Sequence, residues 1–428
     1  MNYFCTFAAV KTQFLIAAPM SGSGKTTVAR GLMALFTEKG YKVQPFKCGP
    51  DYIDTKFHEM VCGRPSINLD TFMASKEHVR ELFTQYGADA DVCIVEGMMG
   101  LFDGYDRDKG SSYDIAQTLG LPVVLVVDAR SAAYSLSALL HGFLHFRKDV
   151  HIAGVIYNKV GSVRHYEMLQ QVCADLQLDC LGCLPRQAFL EQGSRYLGLD
   201  FSETPSCAEL VRLMEDAIDW RKLARLSQPL LITHNSKLIT HGSVLIARNS
   251  EAFSFVYQEV IDSFRVVRFF DPEREVPDFS GIDLLYLPGG YPEKHLEALT
   301  GNEACRRAIR RFAEGGGCIW AECGGMMYLC DRIVADGGDY AMCGVLPYTI
   351  SARQADRKLS LGYRYFTLDG REYRGHEFHY TQFLGRAPKS ATQVYNAVGR
   401  PVDTAVLKYK NVLASYAHLY AGFALNGK

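Results

Sequence analysis

The stretch Phe14-Leu-Ile-Ala-Ala-Pro-Met-Ser-Gly-Ser-Gly-Lys-Thr-Thr27 reads as a buried strand, a glycine-rich turn and the opening of a helix. Its apolar run predicts a strand over 13–18, and the residues after Gly24 predict a helix over 25–39. Strand, turn and helix in that order are the context a phosphate loop needs. Gly22 and Gly24 let the backbone turn its N–H groups inward, and the helix N-terminus adds partial positive charge. Lys25 would then reach the β- and γ-phosphates of ATP, and the Thr26 hydroxyl would ligate Mg²⁺. Ser23 and Thr27 complete the candidate ATP-binding loop. Pro19 stands where the G-x-x-x-x-G-K-T pattern has its first glycine; the Gly-Lys-Thr core is intact.

Outward from this loop, short apolar runs predict strands at 42–46, 92–96, 122–127 and 151–157, with a helix at 75–86. Strands alternating with helices imply a parallel sheet with helices on both faces. A helix is expected over 206–219. The stretch 226–241 loses periodicity and reads as a linker. A second alternating block follows, with strands at 244–247, 265–269, 283–287 and 317–321 and a helix at 303–314. The fold class expected is therefore α/β in two domains, 1–235 and 242–428, each a mostly parallel sheet with helices on both faces.

Two acidic clusters follow strands of the first block. Lys47-Cys-Gly-Pro-Asp-Tyr-Ile-Asp54 comes after the second, and Val95-Glu-Gly-Met-Met-Gly-Leu-Phe-Asp103 after the third. Both lie past carboxyl ends of parallel strands, where α/β sheets bind ligands. Glu96 is the first candidate for a second Mg²⁺ ligand, with Asp51 and Asp54 as alternatives. Asn158, with Lys159, is a candidate reader of the adenine ring.

The second block carries Cys318-Ile-Trp-Ala-Glu-Cys-Gly-Gly-Met-Met-Tyr-Leu329. Cys323 sits at a strand-to-helix turn, followed by two glycines, as a nucleophile elbow requires. The Gly324 N–H is one candidate oxyanion donor, and Gly290 of Leu287-Pro-Gly-Gly-Tyr-Pro292 the other. The helix N-terminus is expected to favour the thiolate. His418 is the candidate base, 95 residues further on, so that pairing is spatial. Tyr420 occupies the place two residues beyond the histidine where a triad carboxylate would stand, which leaves a Cys–His dyad. His376-Glu-Phe-His379 has the wrong spacing for a zinc helix, and on a strand its histidines face opposite sides.

Composition narrows the class. The 428 residues carry 46 Lys plus Arg against 47 Asp plus Glu, a net charge of −1, so no overall field draws the chain to nucleic acid or an anionic membrane. Charged residues at 22% and hydrophobic residues at 48% fit a globular chain. No apolar run reaches the length of a membrane span. Thirteen scattered cysteines, with no export signal, fit a reducing cytoplasm.

Taken together, these motifs resemble the cobyrinate a,c-diamide synthase family over nearly the whole chain. Asn68-Leu-Asp70, Glu96-Gly-Met-Met-Gly-Leu-Phe-Asp-Gly104, Pro288-Gly-Gly-Tyr-Pro-Glu293, Ala321-Glu-Cys-Gly-Gly325 and Gly375-His-Glu-Phe-His-Tyr380 carry the resemblance with the two loops above. Ser194-Arg-Tyr-Leu-Gly-Leu199 departs from the family at Tyr196, where a histidine is usual. The resemblance implies a P-loop, dethiobiotin-synthetase-like amidoligase domain joined to a class I glutamine amidotransferase-like domain. It implies Cys323 as glutaminase nucleophile, His418 as its base, ATP and L-glutamine as co-substrates, and a corrinoid polycarboxylate as acceptor. Lys47 would help neutralise phosphate charge. Tyr52, Asp103, Arg353 and Arg357 are candidate substrate contacts, the arginines belonging to a basic cluster with Lys358 and Arg364. Ammonia would need a sheltered path to the acyl phosphate. A homodimer is allowed for. The alternatives kept open are hydrogenobyrinate or Ni-sirohydrochlorin as acceptor, a relative amidating later corrin carboxylates, and a P-loop switch ATPase.

Overall fold

Val10–Ala17 forms β1, the strand on which the first sheet is centred. In the computed structural model, residues 10–186, 207–229 and 241–420 are described. They form two compact units: residues up to Thr71 and from Ser75 to 229, and Phe72–Ala74 with the residues from 241 onward.

The first unit continues with β2 (Val43–Cys48), β3 (Ile67–Leu69), β4 (Val92–Glu96), β5 (Val123–Asp128), β6 (Ile152–Val160) and β7 (Cys180–Pro185). Their order is β3-β2-β4-β1-β5-β6-β7, and every neighbouring pair is parallel. Chain direction across the sheet reverses beside β1, which makes its carboxyl end the switch point where such sheets bind ligands. Strands covered on both faces are apolar without alternation, and Phe14, Ile16, Ile94, Val124, Val126 and Ile156 are all fully buried in one core. The helix Lys25–Glu38 adds Val28, Leu32 and Met33 to that core. The short strand β8 (Ser227–Pro229) pairs antiparallel with the start of β1, so the predicted linker begins as strand. Residues 230–240 of that stretch, and Ser194–Leu199 with Tyr196, lie outside the described residues.

The second unit has a six-stranded sheet of β9 (His241–Ala247), β10 (Phe264–Phe270), β11 (Leu284–Leu287), β12 (Ile319–Glu322), β21 (Val406–Tyr409) and β22 (Val412–Ser415). Its order is β10-β9-β11-β12-β22-β21, parallel except at β21. The helix Glu303–Glu314 crosses from β11 to β12 as its periodicity predicts.

Two smaller sheets depart from the expected plan. One joins β13 (Cys330–Ala335), β14 (Gly338–Ala341), β15 (Leu346–Ser351) and β18 (Gln382–Leu384). The other joins β16 (Ser360–Leu368), β17 (Arg371–His379), β19 (Val394–Asn396), β20 (Pro401–Val402) and β23 (His418–Leu419), all antiparallel. The turn between β16 and β17 is Asp369-Gly370, both at positive φ, the residue pair a tight hairpin prefers.

Candidate active sites

At the carboxyl end of β1 the chain turns through Gly22 (φ 79°) and Gly24 (φ 97°) into the helix Lys25–Glu38. The end of β6 braces this loop. Asn158 Nδ2 donates to the Ser23 carbonyl at 2.9 Å, and Lys159 Nζ to the Gly22 carbonyl at 3.2 Å. A Cβ on Gly24 would meet Asn158 Nδ2 at 2.1 Å. Asn158, the candidate reader of the adenine ring, thus also braces the cradle.

Lys25 is mostly buried and donates to the Met99 carbonyl at 2.5 Å. Burial, with Lys47 nearby, lowers its pKa to about 8. Glu96, Asp54 and Asp103 oppose that fall, and an anion in the cradle would oppose it further.

Beneath the loop lies a buried ionic network. Thr26 Oγ1 donates to Glu96 Oε1 at 2.6 Å. Lys47 Nζ stands 3.2 Å from Glu96 Oε1 and 2.8 Å from Asp54. His58 Nε2 lies 2.6 Å from Glu96 Oε2, and its Nδ1 lies 3.0 Å from Ser66 Oγ. Burial opposes charge on Lys47, yet Asp54 and Glu96 hold its pKa above the ordinary lysine value. Burial and Asp54 likewise oppose charge on Glu96, but Lys47 and His58 outweigh them and lower its pKa.

Thr26 and Glu96 offer adjacent hard oxygen donors of the kind Mg²⁺ takes when most of its shell is water and phosphate. Asp54 is committed to Lys47. Asp51 serves as a cap, its Oδ1 accepting from the N–H groups of Ile53 and Asp54 at 2.8 Å each. Among the described residues no three acidic, imidazole or thiol groups converge as a metal cage. His58 escaped the sequence reading because its partner lies 38 positions away.

In the second unit, Cys323 follows β12 directly and precedes the helix Gly324–Leu329. Its backbone is held at φ 45°, ψ −108°, a strained conformation for a residue with a side chain. The Cys323 N–H donates to the Ser415 carbonyl at 2.8 Å, so β22 fixes the elbow. The two glycines are sterically required. A Cβ on Gly325 would lie 1.9 Å from the Leu287 carbonyl oxygen; one on Gly324 would lie 2.7 Å from Pro292 Cδ and 3.1 Å from Gly290 N. Gly290 and Gly324, the two predicted oxyanion donors, are thus packed together.

His418 is buried on the same edge. A Cβ on Gly289 would meet its Cε1 at 2.2 Å, and His376 stacks on its ring at 4.9 Å. Tyr420 packs edge-on against Tyr257. Burial pushes the Cys323 thiol up, with Glu293 adding to the rise and the Gly324 N–H opposing it. Burial therefore works against the thiolate that the helix N-terminus is expected to favour. Burial, then His376, holds His418 well below the usual imidazole value. Such a neutral pair needs the imidazole to take the thiol proton as attack occurs.

Other predicted contacts are scattered. Tyr52 is buried. Asp103 accepts from the Gly100 N–H at 2.9 Å. Arg353 and Arg357 are exposed beside the short turn Gln354–Asp356. Arg364 leaves the basic cluster: it is buried and paired with Glu377 at 2.6 Å.

Comparison with known proteins agrees with this division. Residues 14–197 match the model of the CobQ/CobB/MinD/ParA nucleotide binding domain, and residues 253–423 that of the CobB/CobQ-like glutamine amidotransferase domain. The cobyrinate a,c-diamide synthase of Caldanaerobacter subterraneus subsp. tengcongensis is 39% identical over 95% of this chain and 94% of its own. The hydrogenobyrinate a,c-diamide synthase of Rhizobium meliloti is 38% identical over 95% of this chain and 98% of its own. The cobyrinate a,c-diamide synthase of Syntrophotalea carbinolica is 35% identical over 95% of both.

Proposed function

The chain belongs to the family of the cobyrinate and hydrogenobyrinate a,c-diamide synthases, glutamine-dependent amidating ligases of cobalamin synthesis, and from that premise we propose that it amidates the a and c side-chain carboxylates of cobyrinate. The observation that carries this reading is the pairing, in one chain, of a lysine-bearing phosphate cradle with a cysteine elbow backed by glycine N–H groups and a histidine.

A carboxylate is a poor electrophile. In the first unit it attacks the γ-phosphorus of ATP, releasing ADP and forming an acyl phosphate. Lys25 and the loop N–H groups hold the phosphates in line. Thr26 and Glu96 would hold Mg²⁺, which supplies charge neutralisation at the phosphates. In the second unit Cys323 Sγ attacks the side-chain amide carbon of glutamine while His418 takes the thiol proton. The Gly290 and Gly324 N–H groups receive the developing oxyanion. Ammonia leaves with the proton from His418, and water hydrolyses the thioester to glutamate. Ammonia then displaces phosphate from the acyl phosphate to give the amide.

Cytoplasmic location is part of the same reading. It is supported by the free thiol state of every cysteine among the described residues. No helix among those residues is long and apolar enough to cross a membrane.

The test is Cys323→Ser. Amidation from glutamine is expected to fall at least about a thousandfold, as loss of a nucleophile does, while amidation from ammonium salts persists. Full glutamine use by this variant would overturn the reading of the second unit.

A further inference from the structure

The residue before the nucleophile is Glu322, the last of β12, and its side chain is fully buried. A buried carboxylate needs donors, and the fold provides three. Trp320 Nε1 donates to Oε1 at 2.8 Å, Tyr286 OH to Oε2 at 2.7 Å, and the Leu419 N–H to Oε1 at 2.9 Å. The Leu419 bond is informative, because Leu419 adjoins His418. It ties the carboxylate to the backbone that carries the base. Oε2 then stands 3.9 Å from His418 Nδ1.

Three features hold the imidazole in this relation. Its ring lies against Gly289, where a Cβ would come within 2.2 Å of Cε1, and against the parallel ring of His376. Its carbonyl abuts Gly375, where a Cβ would come within 1.9 Å. β12 and β22 pair in register, Glu322 opposite Ser415, and the chain runs on from Ser415 to His418 at the start of β23. An adjustment of about 1 Å brings Nδ1–H into hydrogen-bond range, a tightening common when a catalytic site fills.

We propose that Glu322 is the positioning carboxylate of the glutaminase: it fixes the Nδ1–H tautomer of His418, so that Nε2 accepts the Cys323 proton, and it stabilises the imidazolium that forms. The site is then a triad whose acid precedes the nucleophile in sequence, replacing the dyad implied by Tyr420. Burial raises the Glu322 pKa to about 7, opposed by Trp320, the Leu419 N–H and Tyr286, so an imidazolium beside it would offset the cost of its buried charge. Glu322 acts through His418 and does not touch glutamine. The inference rests on the glutaminase reading of the second unit.

The experiment begins with the unmutated chain. Histidine ¹⁵N–¹H correlation spectra, with His418 identified by its loss in His418→Gln, are expected to show His418 protonated on Nδ1. Protonation on Nε2 alone would overturn the proposal. Steady-state glutaminase kinetics of Glu322→Gln should then show kcat reduced about a hundredfold or more with KM for glutamine unchanged, because the wrong tautomer disables the base. Glu322→Asp should recover part of that loss. Tyr286→Phe, which removes one donor but keeps the carboxylate, should change kcat less than tenfold. If Glu322→Gln kept wild-type kcat, or Tyr286→Phe lost as much as Glu322→Gln, the carboxylate would have no role beyond packing. Cys323→Ser, run alongside, separates the two claims: if it still hydrolyses glutamine, the glutaminase reading itself fails.

Discussion

Glu377 accepts from Arg364 and His379 at 2.6 Å each and from the Thr404 hydroxyl. Burial opposes its charge, but these partners outweigh burial and lower its pKa to about 2. A carboxylate depressed in the folded state stabilises fully above its unfolded pKa, about 4.5. That stabilisation is lost as pH falls from about 4.5 towards about 2. The melting temperature of the second unit should therefore drop steeply in that window, and Glu377→Gln should flatten the drop while lowering stability at pH 7 by a few kcal/mol. Parallel acid titrations of the two proteins would contradict this. At the same scale, Lys25, Thr26 and Cys323 were readable because their chemistry lies in contiguous motifs. Glu322 and His58 were not, since each is defined by a partner far along the chain, 97 positions in the case of Leu419.

Among the elements, the elbow at Cys323 shows how little space catalysis leaves. Gly325→Ala drives a methyl group into the Leu287 carbonyl, and backbone there has no rotamer to yield. Destabilisation of about 3 kcal/mol or more is expected, read as a lowered denaturation midpoint together with lost glutaminase. Gly142→Ala, inside the helix Leu136–Phe146 with nothing within 4 Å of the new Cβ, should stabilise by up to about 1 kcal/mol. Equal effects at the two sites would contradict the steric account. The parallel strands and their helices were legible from apolar runs and helical periodicity. The hairpin of β16 and β17 went unread: Asp369-Gly370 could have marked its turn, but its strands mix buried charge with exposed apolar residues, which hides the alternation.

Across the whole molecule, two units bring two chemistries to one chain, and each has its own core. Lys25→Ala should abolish amidation from glutamine and from ammonium alike, since both need the acyl phosphate. This contrasts with Cys323→Ser, which spares ammonium use. A Lys25→Ala enzyme that still amidated from ammonium would remove ATP activation from the first unit. The near-zero net charge gave no hint of a polyanionic acceptor, and the basic cluster read from sequence lost Arg364 to an internal ion pair.

The central claim is nitrogen transfer from glutamine to a corrinoid ring. Its most direct test is incubation of the chain with ATP, Mg²⁺, amide-¹⁵N-glutamine and, in separate vessels, cobyrinate, hydrogenobyrinate and Ni-sirohydrochlorin, followed by mass spectrometry of each ring. Two ¹⁵N amides on cobyrinate, formed only with ATP, are predicted. Consumption of glutamine and ATP with no labelled ring, or label without ATP, would contradict the account.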